Sequence, residues 1–331
     1  MQRVTLRIIA ENCGVSKFAV SRALSGKSGV SEATRNRVIA TAEQLGYQRQ
    51  VARTRHTIAV LFEDRLHVNG ELHSQVQAGM QSEAARLGYD VQPHWLHHGD
   101  RIQELIDSCV AIATNSLQDI DVLERVAQSG KPAVHMGWLT PLTHADTVSG
   151  TDRESASAVG RHLYDHGHRE IVYVHGPYAL RGRRERLWGL REALDLESDC
   201  VLHDMHWTEQ ENFSSALDAL VARGGRPTAF FCAHDGLALT AVTDMLARGW
   251  SIPGDVSVVG FGDYSAARQI RPLLTTVRIP GYEIGRSMVK LLHLRLSDKE
   301  WPSTPLRLRV FSELIERHST GPAPLRQAPA G

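Results

Sequence analysis

Residues 4–47 read VTLRIIAENCGVSKFAVSRALSGKSGVSEATRNRVIATAEQLGY, and the rest of the chain is best understood from them. Thr5 suits the N-cap of a helix running to about Asn12, because its hydroxyl can accept from an otherwise orphaned backbone N–H. Gly14 breaks that helix, and Ser16 at once signals another, Lys17 to Ser25, with Val20 and Leu24 facing inward at i and i+4. Gly26-Lys27-Ser28-Gly29 is a loop. Ser31 then caps a third helix, Glu32 to Leu45, whose inner face carries Val38, Ala42 and Leu45 and which Gly46 stops. Ala10 and Gly14 are small where the first two helices are expected to cross. Two short helices joined by a tight turn and braced by a third form a helix-turn-helix.

The second helix is the element that enters a major groove. Its outward positions are Lys17, Phe18, Ser21 and Arg22. Arg22 can give two parallel hydrogen bonds to a guanine edge, Lys17 reaches a base or a phosphate, and Phe18 suits a thymine methyl. Thr5, Ser16, Ser21, Ser31 and Thr34 offer hydroxyls or helix starts to phosphates. For each taken singly, a cap or a solvated surface is an equal reading; the set is the stronger signal. Charge agrees. The whole chain balances 37 Lys+Arg against 37 Asp+Glu, yet residues 1–56 hold ten basic and three acidic residues, so a head of +7 sits on a body of −7. A basic head on an acidic body points to nucleic acid at one end only.

At 331 residues, 42% apolar and 22% charged, the chain is expected to be a soluble protein of two or three domains. It has no apolar run of about 18 residues and no secretory h-region at Met1, so a cytoplasmic protein is expected. Cys13, Cys109, Cys200 and Cys232 are scattered, without CxxC or metal spacing. The pair His162 and His166 with His168, and the cluster His94, His97, His98, lack cysteine or carboxylate partners in sequence, so no metal and no cofactor is expected. Gly260-Phe261-Gly262 lacks the third glycine of a dinucleotide fingerprint, and neither a phosphate loop nor a nucleophile elbow occurs.

From residue 58 onward, short apolar strands alternate with amphipathic helices: strands at 57–62, 110–114, 132–136, 171–176, 228–232 and 256–261, helices at 72–87, 120–129, 156–166, 184–194, 213–222 and 236–248. The rhythm restarts after Asp152, which predicts two similar lobes of open parallel sheet with a ligand crevice outside the strand carboxyl ends. The fold class is thus an N-terminal all-α helix-turn-helix headpiece and an α/β body of two doubly wound parallel-sheet lobes.

The head closely resembles that of the lactose-repressor family. The motif is Gly14-Val15-Ser16-x-x-x-Val20-Ser21-Arg22, then Val30-Ser31-x-x-Thr34-Arg35, then Leu45-Gly46-Tyr47; Ile8 departs, standing where the family usually has a polar residue. The body stretches HLYDHGHREIVYVHGP, RRERLWGLREAL and AFFCAHDGLALTAVTDMLARGWSIPGDVSVVGFGDYSAARQIRPLLTTVRIPGYEIG also follow the family pattern. The resemblance implies a repressor that forms a homodimer on near-palindromic double-stranded operator DNA, with lobes like those of periplasmic sugar-binding proteins. It also implies a small-molecule effector between the lobes, a sugar or sugar derivative in many members. The expected domains are a headpiece (1–48), a shortened hinge (49–57), a body (58–316) and a disordered Pro/Ala-rich tail (317–331). Lobe one would take 58–148 and 280–304, lobe two 149–279 and 305–316.

Carried over residue by residue, Arg186 in Arg186-x-x-Gly189 matches an arginine that often binds effector, Trp207 matches a pocket aromatic, and Asp235 matches the aspartate of an Asn-Asp pair. For Arg186 an interlobe ion pair, and for Trp207 a core position, remain alternatives. His234 replaces the pocket asparagine, Gly262 stands where sugar-binding members often carry an aspartate, and Gly137 stands where another polar residue is common. Trp138 and Asp64 are candidates to compensate. The hinge departs too: ten residues, Gln48 to Thr57, separate Tyr47 from Ile58, several fewer than the family norm and without proline or leucine. In the family this stretch folds on the operator as a short helix whose paired leucines wedge into the central minor groove and kink it. A two-turn helix needs about seven residues, which here leaves almost nothing for the connection; Val51 would be a small wedge and Arg53 a phosphate or minor-groove contact. Two other classes stand against this reading. A solute-binding protein would lack the basic head, and a sugar-metabolising enzyme would need an acid/base or nucleophile motif. Within the class, an effector-independent regulator using its body only to dimerise is the alternative.

Overall fold

The computed structural model describes residues 5–24, 29–45, 56–63, 70–96, 102–115, 117, 119–137, 145–176, 180–195, 199–208, 210–298 and 300–325. It divides into a head, residues 1–55, and a body, residues 56–331.

The head holds three helices, α1 (Leu6–Cys13), α2 (Lys17–Leu24) and α3 (Glu32–Gln44). Each start is capped by a hydroxyl: Thr5 Oγ1 accepts from the Ile8 N–H, Ser16 Oγ from Ala19 at 3.1 Å, and Ser31 Oγ from Thr34 at 3.3 Å. Ile9, Val20 and Val38 are wholly buried where the helices meet, with Ala10, Cys13, Ala23 and Ala42 around them. Gly14 is not there for a close helix crossing. A Cβ on it would meet nothing within 4 Å, and its φ of +64° is what demands glycine.

The body is two six-stranded sheets. One has the order β11-β5-β4-β3-β1-β2, from β1 (Thr57–Glu63), β2 (Asp90–Leu96), β3 (Ala111–Asn115), β4 (Ala133–Met136), β5 (Asp146–Gly150) and β11 (Arg307–Val310). The other has the order β12-β10-β9-β8-β6-β7, from β6 (Glu170–Val174), β7 (Val201–Met205), β8 (Ala229–Cys232), β9 (Ser257–Gly262), β10 (Thr275–Arg278) and β12 (Glu313–Ile315). All neighbours are parallel except β10 with β12. Strands buried on both faces, such as β3 and β8, read as unbroken apolar or small-residue runs because helices cover both sides. Phe230, Phe231 and Tyr173 are fully buried in the second lobe, each contributing roughly 1.5–3 kcal/mol of transfer free energy.

The chain crosses between lobes three times, at 150–152, 278–281 and 310–313. Each crossing leaves from the carboxyl end of a strand, so the carboxyl edges of both sheets border the connection. In lobe one, helix α4 (Gly70–Leu87) packs on α12 (Gly281–Ser297) so closely that a Cβ on Gly285 would run into the Val76 carbonyl.

Two expected boundaries need correction. The third crossing lies beyond 310 rather than at 304, because β11 pairs in parallel with β5 and belongs to lobe one. The tail from 317 is not disordered as far as 325. Ser319 is wholly buried; its hydroxyl donates to the Val258 carbonyl at 2.6 Å and accepts the Thr275 N–H at 2.8 Å. Gly321 accepts from His168, and the Ala323 N–H reaches the His166 carbonyl at 2.8 Å. Composition suggested disorder, but backbone groups along β9 and β10 need partners, and this segment supplies them. Residues 326–331 lie outside the described ones.

Candidate functional site

On α2, Lys17, Phe18 and Ser21 face outward and Val20 and Ala23 inward, as a helix of period 3.6 requires. Phe18 is 69% exposed, and the Arg22 guanidinium lies over its ring, 5.4 Å from the centroid. Arg22 also lies against Gly29, where an added Cβ would sit 3.2 Å from its Nη2. The arginine is therefore braced from two sides rather than trailing in solvent, which lowers the entropy that any further contact of its guanidinium would cost. The hydroxyls of Ser31 and Thr34 are 2.8 Å apart at the start of α3. Val51 and Arg53 lie outside the described residues, as do Asp64 and Trp138.

The second candidate site is the carboxyl edge of lobe two. Here α7 (Asp152–Asp165), α8 (Arg181–Leu194) and α10 (Asp235–Ala247) begin beside the ends of β8 and β9. Arg186 from α8 donates through Nε to Asp152 Oδ1 at 2.7 Å and through Nη1 to the Ala233 carbonyl. Its guanidinium also stacks on Phe261, 3.7 Å from the ring centroid. Its ion pair stays within lobe two, so it is not an interlobe bridge. His234 is the N-cap of α10: its Nδ1 accepts from the Leu237 N–H at 3.3 Å. Burial, aided by the nearby charges of Arg183 and Arg186, pushes this imidazole down to about 3, so it is neutral with its proton on Nε2. Trp207, just past β7, is half-buried and packs edge-on against Phe213 with centroids 6.3 Å apart.

Asp235 requires a correction as a ligand candidate. It is 1% exposed, its Oδ1 accepts from Thr276 Oγ1 at 2.6 Å, and its Oδ2 accepts from the Tyr264 N–H at 2.7 Å. Burial raises its pKa to about 6 against the pull of those two bonds. It fastens α10 to the loop after β9 rather than presenting oxygens to a ligand.

Several residues at this edge were not legible beforehand. The rings of His175 and His206 stack at 4.4 Å, and His206 Nε2 lies 2.9 Å from Asp204. Asp263, wholly buried at its carboxylate and in a left-handed backbone at φ +56°, is held by Arg268, Arg278 and Arg317. Across the crevice, Glu71 of α4 accepts from Ser265 N and Oγ at 2.9 Å each, which ties lobe one to lobe two. On the lobe-one side, Phe62 stacks on Trp95 at 4.7 Å beside the buried His73. These groups are far apart in sequence; the one available signal was their shared position just after a strand end.

A model of bacterial regulatory proteins of the lacI family matches residues 5–50, and one of the periplasmic binding protein-like domain matches residues 161–320. A repressor from Vibrio cholerae, "HTH-type transcriptional repressor PurR", is 29% identical over 95% of this chain and 97% of its own. The chain belongs to the lactose-repressor family. A repressor of the same name from Vibrio campbellii is 26% identical over 89% of this chain and 93% of its own. Among solved structures, the transcriptional regulator CelR–cellobiose complex superposes with a TM-score of 0.69 at 26% identity, over 96% of this chain and all of that one. The lac repressor dimer bound to operator and an anti-inducer gives a TM-score of 0.71 at 24% identity, over 97% of this chain, and shares the fold. This lactose-repressor family member is a DNA-binding transcription regulator. Among its described residues no helix is long and apolar enough to cross a membrane.

Proposed function

We propose that the protein is a repressor whose affinity for a near-palindromic operator is set by a small molecule held between the two lobes of its body. The observation that supports DNA reading most directly is the braced Phe18–Arg22 pair on the outer face of α2, in a head of net +7. Lys17 and Arg22 are assigned to base edges, Phe18 to a thymine methyl, and Thr5, Ser16, Ser21, Ser31 and Thr34 to phosphates. Val51 and Arg53 are assigned to the operator between half-sites.

For the body, support comes from Arg186, oriented by Asp152 and Phe261 at the strand carboxyl edge where open α/β sheets bind ligands. His234 and Trp207 are assigned with it, and Asp64 and Trp138 from lobe one. That the similar regulator CelR is in complex with cellobiose fits a small-molecule sensor. A homodimer fits an exposed apolar face on α10, where Leu239 and Leu246 are 39% and 44% exposed, beside Val221. Sedimentation at micromolar concentration should show twice the chain mass of 36.6 kDa.

The deciding experiment is operator footprinting with Arg22→Ala. Loss of one bidentate contact should cost about 1–3 kcal/mol and relax preference at one base pair per half-site. Unchanged protection and unchanged preference would refute the assignment.

A further inference from the structure

The loop from Gly262 to Ser265 constrains what the crevice can hold. It is held by the backbone N–H groups of Tyr264 and Ser265 and by the buried carboxylate of Asp263. Gly262 ends β9 with φ +136°, and Asp263 follows at φ +56° within its three arginines. The Tyr264 N–H is held by Asp235, and Ser265 is held by Glu71 from the opposite lobe. This places the Tyr264 ring directly over Gly262. A Cβ on Gly262 would run into ring atoms Cδ2, Cε2 and Cζ. Tyr264 is only 5% exposed, so its ring has no free space to retreat into. An acidic side chain at position 262 is sterically excluded, and an aromatic ring occupies its place.

What remains at this edge is a set of donors. Two of the five N–H groups of Arg186 are used, by Asp152 and the Ala233 carbonyl, and its Nη2 amino group is left over. His234 has its Nδ1 taken as an acceptor by Leu237, so its ring hydrogen is on Nε2. The nearby carboxylates are committed elsewhere, Asp152 to Arg186 and Asp235 to Thr276 and Tyr264. The hydroxyls of a neutral polyol are both donors and acceptors and are gripped best where carboxylates receive them. An oxyanion has acceptors only and needs donors only, with a charge-assisted gain from a guanidinium.

We propose that the effector is an anion, a small molecule bearing a carboxylate or phosphate whose oxygens accept from Arg186 and His234, and that Tyr264 seated on Gly262 excludes neutral polyols. This rests on the crevice being the effector site. It deepens that reading by naming the ligand class and the residue pair that selects it.

The test titrates the full-length protein with inorganic phosphate, balanced against chloride at constant ionic strength, and follows the thermal midpoint and tryptophan emission. Phosphate should raise the midpoint saturably, as any ligand of the native state does. His234→Asp keeps an acceptor for the α10 cap but has no N–H to offer. It should weaken apparent phosphate affinity at least tenfold, the equivalent of one charge-assisted hydrogen bond of about 1.4 kcal/mol. Gly262→Asp combined with Tyr264→Ala should abolish the phosphate response by bringing a carboxylate to the edge. The proposal is overturned if phosphate does no more than chloride. It is equally overturned if His234→Asp responds as the wild type does, since phosphate would then be held elsewhere, for instance on the basic head. Cellobiose serves as the neutral arm. If cellobiose shifts the midpoint in an Arg186-dependent way and phosphate does not, the crevice reading stands and the anion proposal falls.

Discussion

Replacing Asp263 by asparagine isolates one charge in the lobe-two loop whose Ser265 bonds to Glu71 of lobe one. Asparagine keeps the size of the side chain and tolerates the left-handed φ of +56°, so the backbone is left undisturbed. The carboxylate is wholly buried and bonded to Arg268 at 2.9 Å, Arg278 at 2.8 Å and Arg317 at 2.5 Å. Arg268 and Arg278 are 61% and 46% exposed, so solvent screens them and each contributes about 0–1 kcal/mol. Arg317 is only 13% exposed, and its bond to a buried charge should be worth about 1.5–3 kcal/mol. Asp263→Asn is therefore expected to lower unfolding stability by about 2–4 kcal/mol, read from urea transitions at pH 7. Asp263→Ala should lose about 1–2 kcal/mol more, because alanine strains at positive φ. The pH dependence follows from the same bonds. Burial alone would raise this carboxyl, but the three guanidiniums outweigh it and hold it below the usual carboxylate value. A depressed native pKa stabilises fully above the unfolded value near pH 4, and the gain is lost as pH falls through the lower native value. Wild type and Asp263→Asn should accordingly converge in acid. A variant within 0.5 kcal/mol of wild type at pH 7, or a gap unchanged between pH 7 and pH 3, would show that the charge does not hold this loop.

Gly285→Ala should destabilise the body by about 1–3 kcal/mol, since its Cβ meets the Val76 backbone carbonyl and helices α4 and α12 must separate; a neutral result in urea unfolding would contradict that packing. Burial pushes His168 down to about 4, so the native state resists a proton that the unfolded chain accepts near pH 6.5. Stability should fall as pH drops from about 6.5 to about 4 and then level, by on the order of 3 kcal/mol from this residue, and His168→Gln should flatten that fall. Once an effector is in hand, Trp207 emission should respond to it and Arg186→Ala should abolish the response; a normal response in that variant would place the pocket elsewhere. The ten-residue hinge should bend the operator less than a leucine-wedged one, and circular permutation gel shifts showing a sharp central kink that Val51→Gly removes would refute this.

The head was legible almost residue by residue because its determinants are local. Caps at Thr5, Ser16 and Ser31 bond three residues ahead, and of the expected inward positions Val20 on α2 and Val38 and Ala42, at i and i+4 on α3, are buried. The same holds for the longer body helices and the most apolar strands. The helix from Phe213 to Ala222 begins and ends where the sequence placed it, because Asn212 and Ser215 form a reciprocal capping box. Strands with mixed patterns, such as β2 with its intermediate and exposed positions, escaped notice because an edge strand has no buried face to impose alternation.

The crevice was legible only as a location. Arg186 and His234 could be nominated from their spacing, but the use of their hydrogen bonds could not, because their partners Asp152 and Leu237 are fixed by how α7, α8 and α10 converge. Asp235 looked like a ligand and proves to be a fastening, since two strands bring Thr276 and Tyr264 to its oxygens. Gly262 looked like a missing carboxylate and proves to be a seat for Tyr264. The residues from 317 to 325 looked unstructured by composition and are held by the backbone of lobe two. The sequence by itself determined what depends on neighbours along the chain: the three-helix head, the alternation of strand and helix, and the two-lobed plan. Tertiary structure alone decided which strand ends meet, which polar groups satisfy one another there, and therefore which remain to face a ligand. A hydrogen bond to a residue tens or hundreds of positions away leaves no periodic trace in the sequence.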